Sequence, residues 1–84
     1  MNAAVHLDLI PDIRDILSQH GRMPNQHLKE GDDLFSAGLT SLATVAVMLA
    51  LEDKFNVEFP DSMIGRRTFK SIETIAEAIT QLAA

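Results

Sequence analysis

The stretch from Leu42 to Phe55 contains neither glycine nor proline, is rich in alanine, leucine and methionine, and stays apolar on almost every side until Glu52-Asp53-Lys54. Its residues have high intrinsic helix propensity, so the segment reads as a helix, with Thr40 or Ser41 placed to cap its start. One face carries Thr44, Val47, Met48, Leu51 and Phe55, and the opposite face carries Leu42, Val45, Ala46 and Leu49. A helix apolar all round is normally buried all round. A chain of 84 residues, however, builds only one modest core and has too little protein to wrap one of its own helices completely. The expectation is therefore that one stripe packs inside and that the Leu42/Val45/Leu49 stripe is at least partly exposed for a partner. The alternative is that a loop covers it.

The rest of the chain divides at its glycines and prolines. Leu9, Ile10, Ile13, Ile16 and Leu17 recur at helical spacing, and Gly21 with Pro24 marks a stop. Pro11 suits the first turn of that helix and would kink one extending far before it. From Gly21 to Leu39 the apolar residues are scattered, which predicts a long loop pinned to the core by Leu28, Leu34, Phe35 and Leu39. Gly38 supplies a position free to take a positive φ just before the next helix. After Phe55, the residue before Pro60 is biased away from helix, and a short helical turn through Asp61 to Ile64 is expected. Ser71 caps a final helix with an apolar stripe of Ile72, Ile75, Ala76, Ile79 and Leu82. The predicted fold is all-α: a single domain over residues 1–84, a small four-helix bundle with a long loop between helices one and two and a short third helix.

Charge and composition exclude several functions. Seven Lys and Arg against twelve Asp and Glu give a formal charge of −5, which repels nucleic-acid backbones and anionic membrane surfaces. Arg66 and Arg67, with Lys70 nearby, form the one basic cluster, and it reads as a solvated helix end. No apolar run approaches the roughly 20 residues that span a bilayer, and no secretory leader pattern is present, so a cytoplasmic protein is expected. Cysteine is absent, so any thiol chemistry must be imported. His6, His20 and His27 form no i, i+4 pair and read as solvated side chains rather than metal ligands.

A phosphate attached to Ser41 would meet the unpaired N–H groups and positive dipole end of the central helix. Alone, a serine in that position is most simply a cap. The run Asp33-Leu34-Phe35-Ser36-Ala37-Gly38-Leu39-Thr40-Ser41-Leu42, continued by Val45, Leu49, Leu51-Glu52, Phe55 and Phe59-Pro60, nevertheless resembles the core of acyl and peptidyl carrier proteins. In that family a Gly-x-(Asp or His)-Ser-Leu sequence opens helix two. The resemblance runs from about Leu34 to Ile79 and implies that Ser41 bears a covalent 4′-phosphopantetheine, with Leu42 the adjoining apolar contact. It implies a non-enzyme that presents an acyl or aminoacyl thioester to partner enzymes. Those partners are a phosphopantetheinyl transferase that brings its own Mg²⁺, an activating ligase, and a downstream acceptor enzyme. Thr40, Leu42, Val45, Ala46 and Leu49 are the candidate partner contacts, and the carrier is expected to be a monomer.

Two departures narrow the choice. Thr40 stands where Asp or His is usual, and Ala43 and Ala46 occupy positions where fatty-acid carriers place acidic residues, so charge steering by this helix should be weak. The segment from Phe59-Pro60-Asp61 through Arg66-Arg67 to Thr68-Phe69 is similar to the stand-alone carriers aminoacylated by class II aminoacyl-tRNA-synthetase-like ligases. A fatty-acid or polyketide carrier, or a helical adaptor without a prosthetic group, is the alternative. Asp61-Ser62-Met63 mimics the attachment motif, but Gly65 soon interrupts it and no long helix begins there; Ser18, Ser36 and Ser71 have less context still. A Ser–His hydrolase is disfavoured because no Gly-x-Ser-x-Gly elbow exists.

Overall fold

The computed structural model describes the backbone of residues 2–23 and 27–83, and side chains from Leu9 onward within those ranges. It contains three α-helices, α1 (Asn2–Gln19), α2 (Ser41–Phe55) and α3 (Ile72–Ala83), with one 3₁₀ turn at Asp61–Met63. The described residues contain no strand, and none of their helices is long and apolar enough to cross a membrane. The expected short third helix is thus a single 3₁₀ turn.

Helix α1 begins well before Pro11, a start that the sequence leaves open. The proline ring is exposed, so it displaces nothing in the core, while Ile10, Ile13, Ile16 and Leu17 bury one stripe of the helix. The lost backbone N–H at Pro11 and the crowding of its ring against the carbonyl one turn back count against it. At the C-terminus the N–H groups of Gly21 and Met23 both reach the Leu17 carbonyl, at 3.0 and 3.1 Å, and the left-handed residue is Arg22 (φ 56°). Gly21 is needed for close approach: a Cβ there would lie 2.8 Å from the Leu17 carbonyl oxygen. Pro24 and Asn25 lie outside the described residues.

The loop from Gly21 to Leu39 folds onto the core as its apolar residues require, with Leu28, Leu34 and Leu39 buried and Phe35 half-buried. Polar bonds hold its backbone. The Arg14 guanidinium donates to the Leu28 carbonyl at 2.7 Å, and Asp33 Oδ1 accepts from the N–H groups of Phe35 and Ser36 at 2.9 and 3.2 Å. Two backbone bonds fasten the loop to the region of α3: Leu34 N–H to the Lys70 carbonyl at 2.7 Å, and Glu73 N–H to the Glu30 carbonyl at 2.9 Å. The second satisfies an orphan donor in the first turn of α3. Gly38 takes φ +124°, a conformation closed to side-chain-bearing residues, and turns the chain into α2.

Helix α1 packs against both α3 and α2. From α2, only Val47 and Leu51 are fully buried. The helix ends at Asn56, which adopts the left-handed conformation (φ 54°) and donates its N–H to the Glu52 carbonyl. The Glu52 carboxylate then accepts from the Phe59 N–H at 2.9 Å, which sets the next segment in place. Phe59 and Phe69 meet with ring centroids 5.4 Å apart and secure both ends of that segment. Ser71 caps α3: its Oγ accepts from the Thr74 N–H at 3.1 Å, and the Thr74 hydroxyl accepts from the Ser71 N–H at 3.0 Å.

Candidate functional site

The entry to α2 is built by Gly38, Thr40 and Ser41. Thr40 is the N-cap; its backbone is extended (φ −93°, ψ 161°) and its Oγ1 accepts from the Ala43 N–H at 3.0 Å. Of the two candidate caps, threonine performs the task. Ser41 is the first residue of the helix, is exposed, and its hydroxyl has no hydrogen-bond partner among the described residues. The N–H groups of Ser41 and Leu42 likewise have no acceptor among the described residues. They are orphan donors at the positive end of a helix of 15 residues, which favours a negative group on the serine oxygen.

The other serines differ. Ser71 is buried and its hydroxyl is engaged with Thr74; Ser62 lies in the 3₁₀ turn, with no long helix after it. Ser36 belongs to the loop, and Ser18 is half-buried near the end of α1. Ser41 alone combines an exposed, unengaged hydroxyl with the start of a long helix.

Around Ser41 the surface is apolar. Leu42, Val45 and Leu49 are 84%, 51% and 56% exposed, and Ala46 is exposed between them. The loop does not cover this stripe, because its backbone bonds tie it to the start of α3 instead. Next to this stripe, and sharing Val45 with it, a cleft of about 190 Å³ lies between α2 and the Ile64–Phe69 segment, lined by Phe35, Ser41, Val45, Met48, Arg66 and Phe69 among others. Arg66 is exposed, as expected of the basic cluster, but it lies in a turn rather than at a helix end, and its guanidinium carbon sits 4.1 Å above the centre of the Phe35 ring. Sequence reasoning missed this contact, because residues 35 and 66 are far apart in the chain and only the fold brings them together. A second groove, lined by His20, Arg22, Thr40 and Leu42 among others, lies on the other side of the helix start. His20 and His27 are exposed, and the side chain of His6 lies outside those described.

The family described as the phosphopantetheine attachment site matches residues 11–79, most of the chain. The aminoacyl carrier protein of Agrobacterium fabrum is 39% identical over 69 residues, covering 80% of this chain and 83% of that protein. The D-alanyl carrier protein of Streptococcus sanguinis is 38% identical over 52 residues, covering 61% of this chain and 66% of that protein. A solved structure of engineered Bradyrhizobium japonicum glycine:[carrier protein] ligase, complexed with carrier protein from Agrobacterium tumefaciens and AMP, contains a similar chain. The TM-score is 0.80 at 38% identity, over 83% of this chain and 96% of that one. The chain belongs to the phosphopantetheine-attachment family, whose members hold acyl or aminoacyl groups on a serine-linked phosphopantetheine. It is a carrier of the acyl and aminoacyl class and not a catalyst.

Proposed function

We propose that Ser41 is the attachment serine and that the protein, as a single carrier domain over residues 1–84, carries an aminoacyl group. The observation that carries this reading is the contrast among the serines: Ser41 has an exposed, unengaged hydroxyl and opens a long helix. The site fits a phosphopantetheine. The N–H groups of Ser41 and Leu42 and the positive helix end would hold its phosphodiester, and no carboxylate lies in the first turn of α2 to repel it. When bound, the arm supplies the thiol that this cysteine-free chain lacks, and with it a thioester linkage. The residues of the chain anchor, orient and present it. Gly38 and Thr40 fix where the helix starts, and hence the direction in which the Ser41 oxygen leaves the surface.

The partners are a phosphopantetheinyl transferase, an amino-acid-activating ligase and a downstream acceptor enzyme. Thr40, Leu42, Val45, Ala46 and Leu49 form the docking stripe beside the serine. An apolar stripe of this kind suits shape-matched docking more than charge steering, since α2 carries no acid before Glu52. That feature favours an amino-acid ligase over the basic partner surfaces of fatty-acid or polyketide carriers, and the similarity to aminoacyl and D-alanyl carriers points the same way. We read the fold as the four-helix carrier bundle with the 3₁₀ turn at Asp61–Met63 in place of its third helix, and the protein as a cytoplasmic monomer.

The test is the intact mass of the purified protein after incubation with a broad-specificity transferase, Mg²⁺ and coenzyme A, beside Ser41→Ala. The wild type gains one phosphopantetheine and the variant none. A gain by the variant would move the site to another serine, and no gain by either with several transferases would favour an adaptor that docks through the stripe alone.

A further inference from the structure

We infer that Arg66 pairs with the phosphodiester on Ser41, leaving the Phe35 ring to do so, and thereby lays the arm back along the cleft between α2 and the Ile64–Phe69 segment. This rests on the reading of Ser41 as the attachment serine. Three observations carry it. First, Arg66 and Ser41 line one half-open cleft of about 190 Å³, which puts a guanidinium and a serine-linked phosphate on the walls of the same cleft. Second, the chain holds twelve carboxylates for seven Lys and Arg, yet among the described residues Arg66 has no ion pair, and its guanidinium stacks on the Phe35 ring at 4.1 Å. Asp33, the acid that lines a neighbouring groove with Arg66, already accepts from two backbone N–H groups. The guanidinium is held in place but uncommitted to an anion.

Third, an exposed cation–π contact is weaker than the charge-assisted, bidentate bonds a guanidinium makes to phosphate oxygens. Phosphate on Ser41 therefore draws Arg66 from the ring. The walls of the cleft suit the next part of the arm: Val45, Met48 and Phe69 offer apolar surface to the methyl-bearing carbon beside the phosphodiester. The other cation near the helix start, Arg22, lines the groove on the opposite side with Thr40 and Leu42, and Ser41 does not line that groove. The geometry thus assigns the pairing to Arg66 and not to Arg22, and it distinguishes a laid-back arm from one projecting into solvent.

The experiment compares isotope-labelled protein before and after loading by NMR, with intact mass as the record of loading. In the wild type, loading shifts the Arg66 side-chain Nε–H and Phe35 ring signals, and the methyls of the arm show cross-relaxation to Met48 and Val45. In Arg66→Gln, loading still adds the same mass, but those cross-relaxation signals fall several-fold. Arg66→Lys, which keeps the charge without the fork, retains an intermediate signal, and Arg22→Gln matches the wild type. A loaded wild type with Arg66 and Phe35 signals unchanged from the unloaded protein would overturn this proposal alone. A wild type that gains no mass would overturn the Ser41 reading and this proposal together.

Discussion

Replacing Leu42 by glutamate separates recognition from folding, and its size follows from burial. Leu42 is 84% exposed, so folding withdraws only about a sixth of its surface from water. Complete burial of a leucine is worth ~1.5–3 kcal/mol, so the fraction lost at Leu42 is worth about 0.2–0.5 kcal/mol. A carboxylate in the first turn also interacts favourably with the helix dipole, by about 0.3–1 kcal/mol, which offsets much of that loss. On the same helix, Leu51 is 0% exposed, and Leu51→Ala costs ~2–5 kcal/mol in lost transfer energy and cavity. For a domain of this size each kcal/mol moves the melting midpoint by about 4–8 °C. The expected result by circular-dichroism melting is a change of less than ~4 °C for Leu42→Glu and a fall of ~8 °C or more for Leu51→Ala. Ligase and transferase kinetics on the same samples should show Leu42→Glu loaded at least ~10-fold more slowly, the effect expected when a central interface anchor is lost. A fall in melting midpoint for Leu42→Glu matching that of Leu51→Ala would show the stripe to be core. Unchanged loading by every partner would show that it is no docking surface.

Thr40→Ala removes the side-chain acceptor for the Ala43 N–H and should cost about 1 kcal/mol in a denaturant melt, whereas Thr40→Asp should restore the cap and the stability. Gly21→Ala places a Cβ 2.8 Å from the Leu17 carbonyl oxygen, and 3.2 and 3.3 Å from Val47 Cγ2 and Leu39 Cδ1. Backbone on one side and buried side chains on the other leave little room to give, so destabilisation of ~1–3 kcal/mol is expected, and a variant as stable as the wild type would refute that packing.

Much of this was legible because the sequence punctuates itself. The start of α2 follows from Gly38 and Thr40, its apolar length from the absence of glycine and proline, and the cap of α3 from Ser71; each is a local rule acting over a few residues. The exposed stripe was legible by counting, since so small a chain cannot cover a helix that is apolar all round. The start of α1 was not, because an exposed proline within a helix is tolerated when tertiary packing of Ile10, Ile13 and Leu17 holds the helix, and that packing is non-local. The Arg66–Phe35 contact was hidden for the same reason. Its partners lie on the long loop and on the segment before α3, and those two stretches are brought side by side by non-local contacts such as the backbone bond from Leu34 to Lys70.

The arrangement of α2 also bears on how such a protein changes over generations. Val47 and Leu51 hold the helix in the core, while Leu42, Val45, Ala46 and Leu49 face outward beside Ser41. The two sets share no position. If the outer set is the docking stripe proposed above, substitutions there retune which enzymes engage the protein with almost no effect on whether it folds, and substitutions on the inner set do the reverse. On that reading, a lineage of such chains acquires a new client by drift at four surface positions, while the fold and the serine stay as they are.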